Sequence, residues 1–419
     1  MHKERLPMRK KIVFLLPYLL LVFLIQEVKS WMPPLEIDVV SITFDFEAGY
    51  ADDALYIRKN ASTYIAKPEW LPPSRNNPLA YIKSQANRHI YVSFTHNQGA
   101  GEICFMVVKA NGGGYYPGTI QETYVSFPSC GTTASAELTL TGGSTPSYVQ
   151  KWGFSLYWYV TEVNDQPQDP NLSLGTTGSH LYYTLLAAPQ SPMSEPWTDV
   201  LDYSCVWAVN QSTALGAASA ITNSLFNSGF NYDVAGGGAA HYGNWAQFNL
   251  GTFLSHLGSS NLVNCLDMGK AVTTFGNAIG CAFGLASYGY TYPGEYPIDG
   301  PLNCIDPIGT PAPTNNPFGS PLIRNDCGRT GFSYHAFAER EPNPDAWYVW
   351  DATLKYDMDT DPDNVTGSNP GCGTTTSGHS MILPANHLEG AYVERLIDPW
   401  PIWYQQTPTL RRNRSFSVQ

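Results

Sequence analysis

Residues 264–280 read NCLDMGKAVTTFGNAIG and contain the clearest helical pattern of the chain. One face of the predicted helix carries four apolar side chains, Met268, Val272, Phe275 and Ile279. Asn264 is a good N-cap, and Asp267 can return a hydrogen bond to the cap or favour the positive helix end. Gly280 is a suitable stop. The pattern therefore predicts a helix that begins immediately after Asn264.

This start places Cys265 in the first helical turn. Backbone N–H groups in that turn have no partner within the helix, and the positive end of the helix dipole lies there. A thiolate beside these groups is stabilised, so we expect Cys265 to be a nucleophile at neutral pH. A disulfide-bonded cysteine at a helix start is an equally common alternative.

Residues 332–351, FSYHAFAEREPNPDAWYVWD, predict a β-hairpin. An alternating strand over 332–337 is followed by a turn at 342–345 and a second strand that ends at Asp351. Such a hairpin can put His335 and Asp351 side by side. Asp351 can then accept a hydrogen bond from one imidazole nitrogen, which fixes the tautomer so that the other nitrogen faces a thiol. A core histidine with a capping aspartate is the alternative.

Three sequence frames, NCLDMG, HAFAE and WYVWDAT, occur in this order and together resemble the transglutaminase-like superfamily over roughly residues 200–360. The resemblance implies a papain-like domain in which Cys265 is the nucleophile, His335 the base and acid, and Asp351 the residue that orients the imidazole. Because that family commonly uses an upstream tryptophan as an oxyanion donor, Trp245 becomes a candidate for this role, with a core tryptophan as the alternative.

The resemblance further implies an enzyme, either a cysteine-dependent hydrolase (peptidase or amidase) or a protein-glutamine acyltransferase. A protein or peptide substrate would be attacked at a backbone or glutamine side-chain amide and held as a thioester. The alternative is a non-catalytic binding module, in which the first half of the chain binds a polymer or protein and the second half is structural. The presence of all three residues in the family's order favours the enzyme.

The segment 281–330 departs from the family pattern, because it is rich in glycine and proline and lengthens the distance from the cysteine to the histidine. It contains three cysteines, Cys281, Cys304 and Cys327. We predict an insertion that either covers the cleft or forms a disulfide-stapled surface loop, and we prefer the loop.

The first half of the chain alternates apolar and polar side chains in short runs such as HIYVSFTH, WGFSLYWYVTEV and HLYYTLL. About seven such strands are typical of an immunoglobulin-like β-sandwich, which we place at 31–190. A linker, APQSPMSEPW, follows, and helical spacing then replaces alternation. Helices that precede strands give an α+β order. We place the transglutaminase-like domain at 196–400 and a tail at 401–419.

The N-terminal residues 1–30 have the features of a signal peptide. Basic residues at 9–11 precede an apolar run at 12–25, which is shorter than the roughly 20 residues that span a bilayer. Small side chains lie near Ser30, where cleavage is expected. We predict a secreted protein, extracellular or periplasmic, without a membrane segment after cleavage; an uncleaved anchor is the alternative.

The excess of acidic over basic residues indicates which classes of partner this protein does not bind. Lys and Arg number 23 against 35 Asp and Glu, a formal net charge of −12. Nucleic acids and anionic membrane surfaces are bound mainly by cationic side chains, so this balance argues against both as partners. Aromatic residues make up 13% and charged residues only 14% of the chain, which excludes disorder as the main state.

Secretion makes disulfides the expected state of most of the eight cysteines. No spacing typical of a zinc site occurs. The first pair that we predict is Cys104 with Cys130, and a catalytic Cys265 would have to remain a free thiol.

An acidic stretch carries alternating aspartates at Asp357, Asp359, Asp361 and Asp363, the spacing of the first ligands of a calcium loop. An EF-hand needs glycine at the sixth position and glutamate at the twelfth, where Pro362 and Ser368 stand. The motif therefore fails. We interpret the stretch as a solvated acidic turn, with looser Ca²⁺ binding as the alternative, and we predict no other cofactor.

Overall fold

The structure is a computed structural model. It describes residues 35–44, 54–65, 69–97, 102–114, 118–236, 238–289, 302–311, 313–314, 317–318, 331–343, 346–357, 381–396 and 410–419. The predicted signal peptide lies outside the described residues.

The first half of the chain forms one ten-stranded sheet. Its strands are β1 (Ile37–Thr43), β2 (Glu69–Leu71), β3 (Arg75–Asn76), β4 (Leu79–Ile82), β5 (Ala86–His96), β6 (Phe105–Gly114), β7 (Thr119–Ser126), β8 (Thr133–Ser144), β9 (Gln150–Val163) and β10 (Gln166–Leu185). They follow the order β3-β2-β1-β5-β8-β7-β6-β9-β10-β4. Neighbouring strands are antiparallel except β10 and β4, which are parallel.

Alternation decides which face of this sheet is buried. In β5, Ile90, Val92 and Phe94 are fully buried, while Tyr91 and Ser93 between them are partly exposed. Side chains at equivalent positions of the other long strands join the same hydrophobic core. The predicted period-2 pattern of HIYVSFTH is confirmed.

The sheet curls around this core, and the structure does not show the predicted immunoglobulin-like sandwich. Two separate sheets would interrupt the strand pairing at an edge, yet all ten strands are joined to their neighbours in one unbroken order, including β7 with β8. Between β9 and β10 the register shifts at several points, and such bulges bend a sheet. Edge-to-edge pairing therefore continues through one bent sheet.

The second half contains five described α-helices, α1 (Thr198–Trp207), α2 (Ala214–Phe226), α3 (Leu250–His256), α4 (Cys265–Ala278) and α5 (Glu389–Leu396). The strands are β11 (Asn231–Tyr232), β12 (Gly243–Asn244), β13 (Gln247–Phe248), β14 (Leu262–Val263), β15 (Gly284–Gly289), β16 (Ile305–Pro307), β17 (Tyr334–Asn343), β18 (Ala346–Trp350), β19 (Leu354–Asp357), β20 (Met381–Ile382), β21 (Ala385–Leu388), β22 (Leu410–Arg414) and β23 (Ser417–Val418). The main sheet is antiparallel, in the order β21-β18-β17-β15-β22.

Helix α4 packs closely against β17 because Gly269 lacks a side chain. A Cβ atom at that position would lie 3.1 Å from the backbone N and Cα of Phe337 in β17. That is tighter than ordinary van der Waals contact, so a larger residue would push the helix away from the strand. The glycine thus brings the start of α4 near the strand that carries the predicted histidine.

The main sheet includes residues that the sequence assigned to an insertion and to a tail. Strand β15, from the segment 281–330, lies between β17 and β22, and β22 comes from 401–419. Arg412 of β22 bridges Glu339 and Glu389 at 2.5 Å each. The short run GLASYG resembled a loop because of its glycines, although most of its residues are buried. A strand covered on both faces shows no alternation, which explains the difference.

The two halves of the chain pack against each other through shared apolar and polar contacts. Leu185 and Leu186, at the end of the first half, belong to the hydrophobic core of the second half. The backbone N–H of Leu186 donates to the carbonyl of Ile279, just after α4, at 3.0 Å. The Tyr183 hydroxyl donates to Asp202 of α1 at 2.6 Å. The core of the second half therefore depends on residues upstream of the proposed linker.

Expressing the halves separately is expected to give unequal results. Residues 31–190 keep their own core and should fold, with a lower melting temperature because Leu185 and Leu186 become exposed. Residues 196–419 lose those side chains and should aggregate or unfold. Circular dichroism and thermal melts of both pieces and of the full chain test this. A cooperatively folded 196–419 piece that melts like the full chain would contradict it.

Candidate active site

The start of helix α4 has the predicted capping arrangement. The Asp267 N–H donates to the Asn264 side-chain oxygen at 3.0 Å, and the Asn264 N–H donates to the Asp267 carboxylate at 3.1 Å. This reciprocal capping box is a common helix start. Cys265 is the first residue of α4, is a free thiol and is 2% exposed. The thiol therefore lies at the positive end of a well-capped helix.

The hairpin of β17 and β18 brings His335 and Asp351 together. Ala338 lies opposite Trp350 in the ladder, so His335 and Asp351 are diagonal neighbours on one face. His335 Nε2 lies 2.7 Å from Asp351 Oδ2, and both side chains are completely buried. The other carboxylate oxygen of Asp351 accepts the Thr353 N–H at 2.7 Å, which fixes the carboxylate plane.

Cys265 approaches the same strand from the helix side. Its sulfur lies 3.9 Å from the carbonyl oxygen of Tyr334, the residue before His335. His335 Nδ1 has no hydrogen-bond partner within the described part of the chain. Cys265 is nevertheless close enough for its side chain to influence the ionisation of the imidazole. Cys265, His335 and Asp351, which lie far apart in the sequence, are therefore gathered at one place.

The charge state of His335 follows from opposing effects. Burial alone would lower the pKa of the imidazole, but the charge and hydrogen bond of Asp351, with smaller effects from Cys265, raise it to about 10. An imidazole with this pKa is protonated at neutral pH. An imidazolium beside a thiol stabilises the thiolate, which is the form that reacts.

Two further contacts hold the imidazole in place. The Phe332 ring stacks on it with centroids 4.8 Å apart and planes 27° apart. The Tyr392 hydroxyl of α5 lies 3.0 Å from His335 Nε2 and donates to Asp351 Oδ2 at 2.8 Å. Sequence reasoning missed both residues. Tyr392 lies in an ordinary amphipathic stretch, EGAYVERL, and no motif distinguishes it from a core tyrosine.

The side chain of Asn264 joins a neighbouring loop to the site. Its Nδ2 donates to the carbonyl of Gly238 and to the Tyr334 hydroxyl, both at 2.7 Å. The Asp267 carboxylate accepts the N–H groups of His241 at 2.9 Å and Tyr242 at 3.0 Å. Burial raises the Asp267 pKa, and these backbone donors oppose that effect. The loop before α3 is thereby tied to the start of α4.

The same loop carries Trp245, the candidate oxyanion donor. Its indole packs edge-on against Tyr334 with centroids 5.2 Å apart, and the Arg414 guanidinium lies over the indole ring, 4.2 Å from its centroid. Lys270 of α4 holds the loop by donating to the carbonyls of Asn244 and Gln247. Trp245 is partly exposed and lies beside the site, so its oxyanion role stays a prediction.

The predicted calcium loop falls almost entirely outside the described residues. Asp357 is described and buried at the end of β19, whereas Asp359, Asp361 and Asp363 are not described. Within the described ranges, no group of three or more metal-ligating side chains is positioned to hold an ion. In the same part of the chain, no helix has the length and apolarity needed to cross a bilayer.

Three of the six described cysteines are disulfide-bonded and three are free, so the predicted excess of disulfides is not seen in this part of the chain. Cys104 and Cys130 form the predicted disulfide, and Cys304 is also disulfide-bonded. Cys205 and Cys281 are free and buried. Burial raises the pKa of Cys281 to about 12 and that of Cys205 further, so both stay neutral thiols. The prediction that Cys265 is free is confirmed.

A surface cavity of about 690 Å³ lies away from these residues. Its lining includes Asn60, Trp197, Asp202 and Tyr203, and none of Cys265, His335 and Asp351 borders it. It is therefore a separate feature from the thiol site.

Comparison with known proteins gives little beyond this geometry. No family model matches the chain, and no curated protein matches its sequence. Among solved structures, the chain is similar to a transglutaminase from red sea bream, with a TM-score of 0.32 and 10% identity over 71% of this chain. The chain spans about half of that structure's length, 51%. At this level of similarity, evidence for an activity comes only from the site itself.

The geometry of the site is of a kind that suits nucleophilic acyl chemistry. It provides a free thiol at a helix start, a histidine adjacent to it, and a buried carboxylate that orients the histidine. A nucleophile, a base and an orienting group in this relation recur on unrelated folds that cleave or transfer acyl groups.

Proposed function

We propose that the protein is a secreted transglutaminase-like cysteine enzyme that attacks peptide or glutamine side-chain amides and forms a thioester. The orientation of the His335 imidazole is the observation that supports this most strongly. Nε2 is engaged by Asp351 at 2.7 Å, and Nδ1 is left without a hydrogen-bond partner among the described residues. In the proposal, Nδ1 is the nitrogen that exchanges a proton with the Cys265 thiol.

The first half of the proposed reaction acylates the enzyme. The Cys265 thiolate, paired with the His335 imidazolium, attacks the amide carbonyl carbon, which forms a C–S bond. The negative charge that develops on the carbonyl oxygen is stabilised by the Cys265 N–H, which has no intrahelical partner. His335 then gives its proton to the amine as the C–N bond breaks.

The second half of the reaction removes the acyl group. A water molecule or an amine loses a proton to His335 and attacks the thioester, and the Cys265 thiolate leaves. Hydrolysis and acyl transfer differ only in this second nucleophile. The proposal therefore covers both a peptidase or amidase and a protein-glutamine acyltransferase.

The proposed location and partners are based on the sequence and on one disulfide bond. The basic, apolar and small residues of 1–30 support secretion, to an extracellular or periplasmic space. The disulfide between Cys104 and Cys130 is compatible with an oxidising compartment. With a net charge of −12, we propose a protein or peptide substrate and neither a nucleic acid nor a membrane as partner.

A non-catalytic binding module is the second candidate. The observation that favours it is burial, since Cys265 is only 2% exposed and His335 and Asp351 are fully covered. A closed network of this kind also suits a structural core. The two candidates differ in whether a small reagent reaches the thiol in the native protein.

Alkylation with iodoacetamide at neutral pH separates the two candidates. We expect the native protein to be modified at Cys265, while Cys205 and Cys281 react only after denaturation because burial keeps them neutral. His335→Ala should slow the modification by about 100-fold or more. The measurement is peptide mapping by mass spectrometry after timed exposure.

The matched control is His241→Ala. That imidazole pairs with Asp233 at 2.9 Å and is partly exposed, so its loss should leave the alkylation rate within about twofold. If native Cys265 stays unmodified until the protein is denatured, the binding module is the better account.

A further inference from the structure

We infer that Tyr392 is a positioning residue for the His335 imidazole, an inference that rests on the proposed function. The hydroxyl belongs to α5, which meets the hairpin of β17 and β18 only in the folded protein. It donates to Asp351 Oδ2 at 2.8 Å and lies 3.0 Å from His335 Nε2. Nothing in the resemblance to transglutaminase-like proteins assigned this residue a role.

The three groups form a closed triangle. Nε2 of His335 lies 2.7 Å from Asp351 Oδ2, and the Tyr392 oxygen is within hydrogen-bond distance of both atoms. In this geometry the Tyr392 O–H donates to the carboxylate, and the Nε2–H is shared between the carboxylate and the Tyr392 oxygen. The Nε2 proton therefore has two acceptors, and the imidazole cannot rotate without breaking both hydrogen bonds.

Tyr392 must stay protonated to act in this way. Burial, followed by the Asp351 charge and hydrogen bond, raises the pKa of the Tyr392 hydroxyl well above its usual value. The titratable groups that face it are Asp351, His335, Tyr356 and Cys265. None of them is a cation other than His335, so the hydroxyl remains a donor across the physiological range.

The expected consequence concerns the reactivity of the thiol. Asp351 and Tyr392 hold the Nε2 edge of the imidazole through hydrogen bonds. The stacked Phe332 ring restrains the face of the imidazole, so the orientation of the ring plane is fixed. That leaves Nδ1 as the only nitrogen free to exchange a proton with Cys265. Losing the hydroxyl removes one acceptor for the imidazolium, so the thiolate–imidazolium pair forms less readily.

The test measures the rate of alkylation of Cys265 by iodoacetamide between pH 5 and 10 in the full chain. Tyr392→Phe is expected to react about 10-fold more slowly at neutral pH. The pH of half-maximal rate should move up by about one unit, because the imidazolium has lost a partner. Thermal melts should show both proteins folded.

Tyr356→Phe is the matched control. Tyr356 is also buried, lies next to Tyr392 with ring centroids 5.6 Å apart, and bonds to His387 instead of His335. Its loss should leave the pH profile of alkylation unchanged. Equal slowing in both variants, or an unchanged rate in Tyr392→Phe, overturns the inference while the proposed function stands. An unreactive wild-type Cys265 overturns the proposed function as well.

A second measurement needs no variant. Nitrogen-15 NMR of labelled histidine in the wild-type protein should show a protonated Nε2 at His335 throughout pH 6 to 9, with slow proton exchange. An unprotonated Nε2 at neutral pH cannot share a proton with Tyr392 and contradicts the inference, even if Tyr392→Phe fails to fold.

Discussion

Changing Cys265 to alanine is expected to abolish the release of nitrophenolate from p-nitrophenyl acetate by this protein, a loss of at least about 100,000-fold. In this reaction the thiolate takes the acetyl group and nitrophenolate leaves. Alanine has no atom that can form the C–S bond, so neither His335 nor Asp351 can compensate. Stopped-flow absorbance with excess reagent measures both the initial burst and the steady rate.

Cys281→Ala is the control for this measurement. Cys281 is a free thiol that is buried just beyond the end of α4, and burial raises its pKa to about 12. The burst should remain in that variant. If the burst survives in Cys265→Ala and disappears in Cys281→Ala, the nucleophile is Cys281. That result would refute the proposed site.

Changing Asp351 to asparagine is expected to lower the acetylation rate by about 10,000-fold, a smaller loss than removal of the nucleophile. Asparagine keeps the shape of the side chain but carries no charge. It can also present an N–H where Oδ2 now accepts, which favours the wrong imidazole tautomer. The rate should be measured in parallel with Cys265→Ala, on proteins whose melting curves show that both are folded.

The Asp351→Asn substitution is also expected to lower the free energy of unfolding by an amount that depends on pH. The pKa of His335 is raised from 6.5 to about 10 in the folded protein. A raised histidine pKa stabilises the fold fully below pH 6.5, and this stabilisation is lost as the pH rises through 10. The difference in unfolding free energy between the wild type and Asp351→Asn should therefore shrink between pH 6.5 and 10. Chemical denaturation at several pH values measures it, and a difference that grows over this window would contradict the pairing.

The site residues could be predicted because each lies in a short local pattern. Asn264 and Asp267 mark a helix start, which places Cys265 without any tertiary information. The hairpin turn likewise sets His335 and Asp351 on one face. Local hydrogen bonds and turn chemistry determine these arrangements, so they can be read from a few neighbouring residues.

The contacts that complete the site could not be predicted in the same way. Tyr392 reaches His335 from a helix 57 positions away, and Asn264 reaches Tyr334 across 70 positions. Such pairs depend on how separate elements pack. A buried tyrosine in an amphipathic helix has the same local pattern whether or not it bonds to a histidine.

The first half shows the same limit at the level of architecture. Alternation identified the inner face of β5 correctly, but it carries no information on which strand lies beside which. The predicted sandwich and the observed curled sheet share the same alternating strands. They differ only in which strands lie next to each other. Pairs such as β1 with β5 and β4 with β10 join strands that are distant in the sequence, so local alternation does not reveal them.

Strand β22 affects when during biosynthesis the site can assemble. It pairs with β15, and its Arg412 bonds to Glu339 on the strand that carries His335. A ribosome releases His335 and Asp351 well before it releases Leu410. Until β22 has emerged, one edge of β15 has no partner, and the strand with the histidine is incompletely held. The strand that carries His335 therefore gains its last contacts only after most of the polypeptide has left the ribosome.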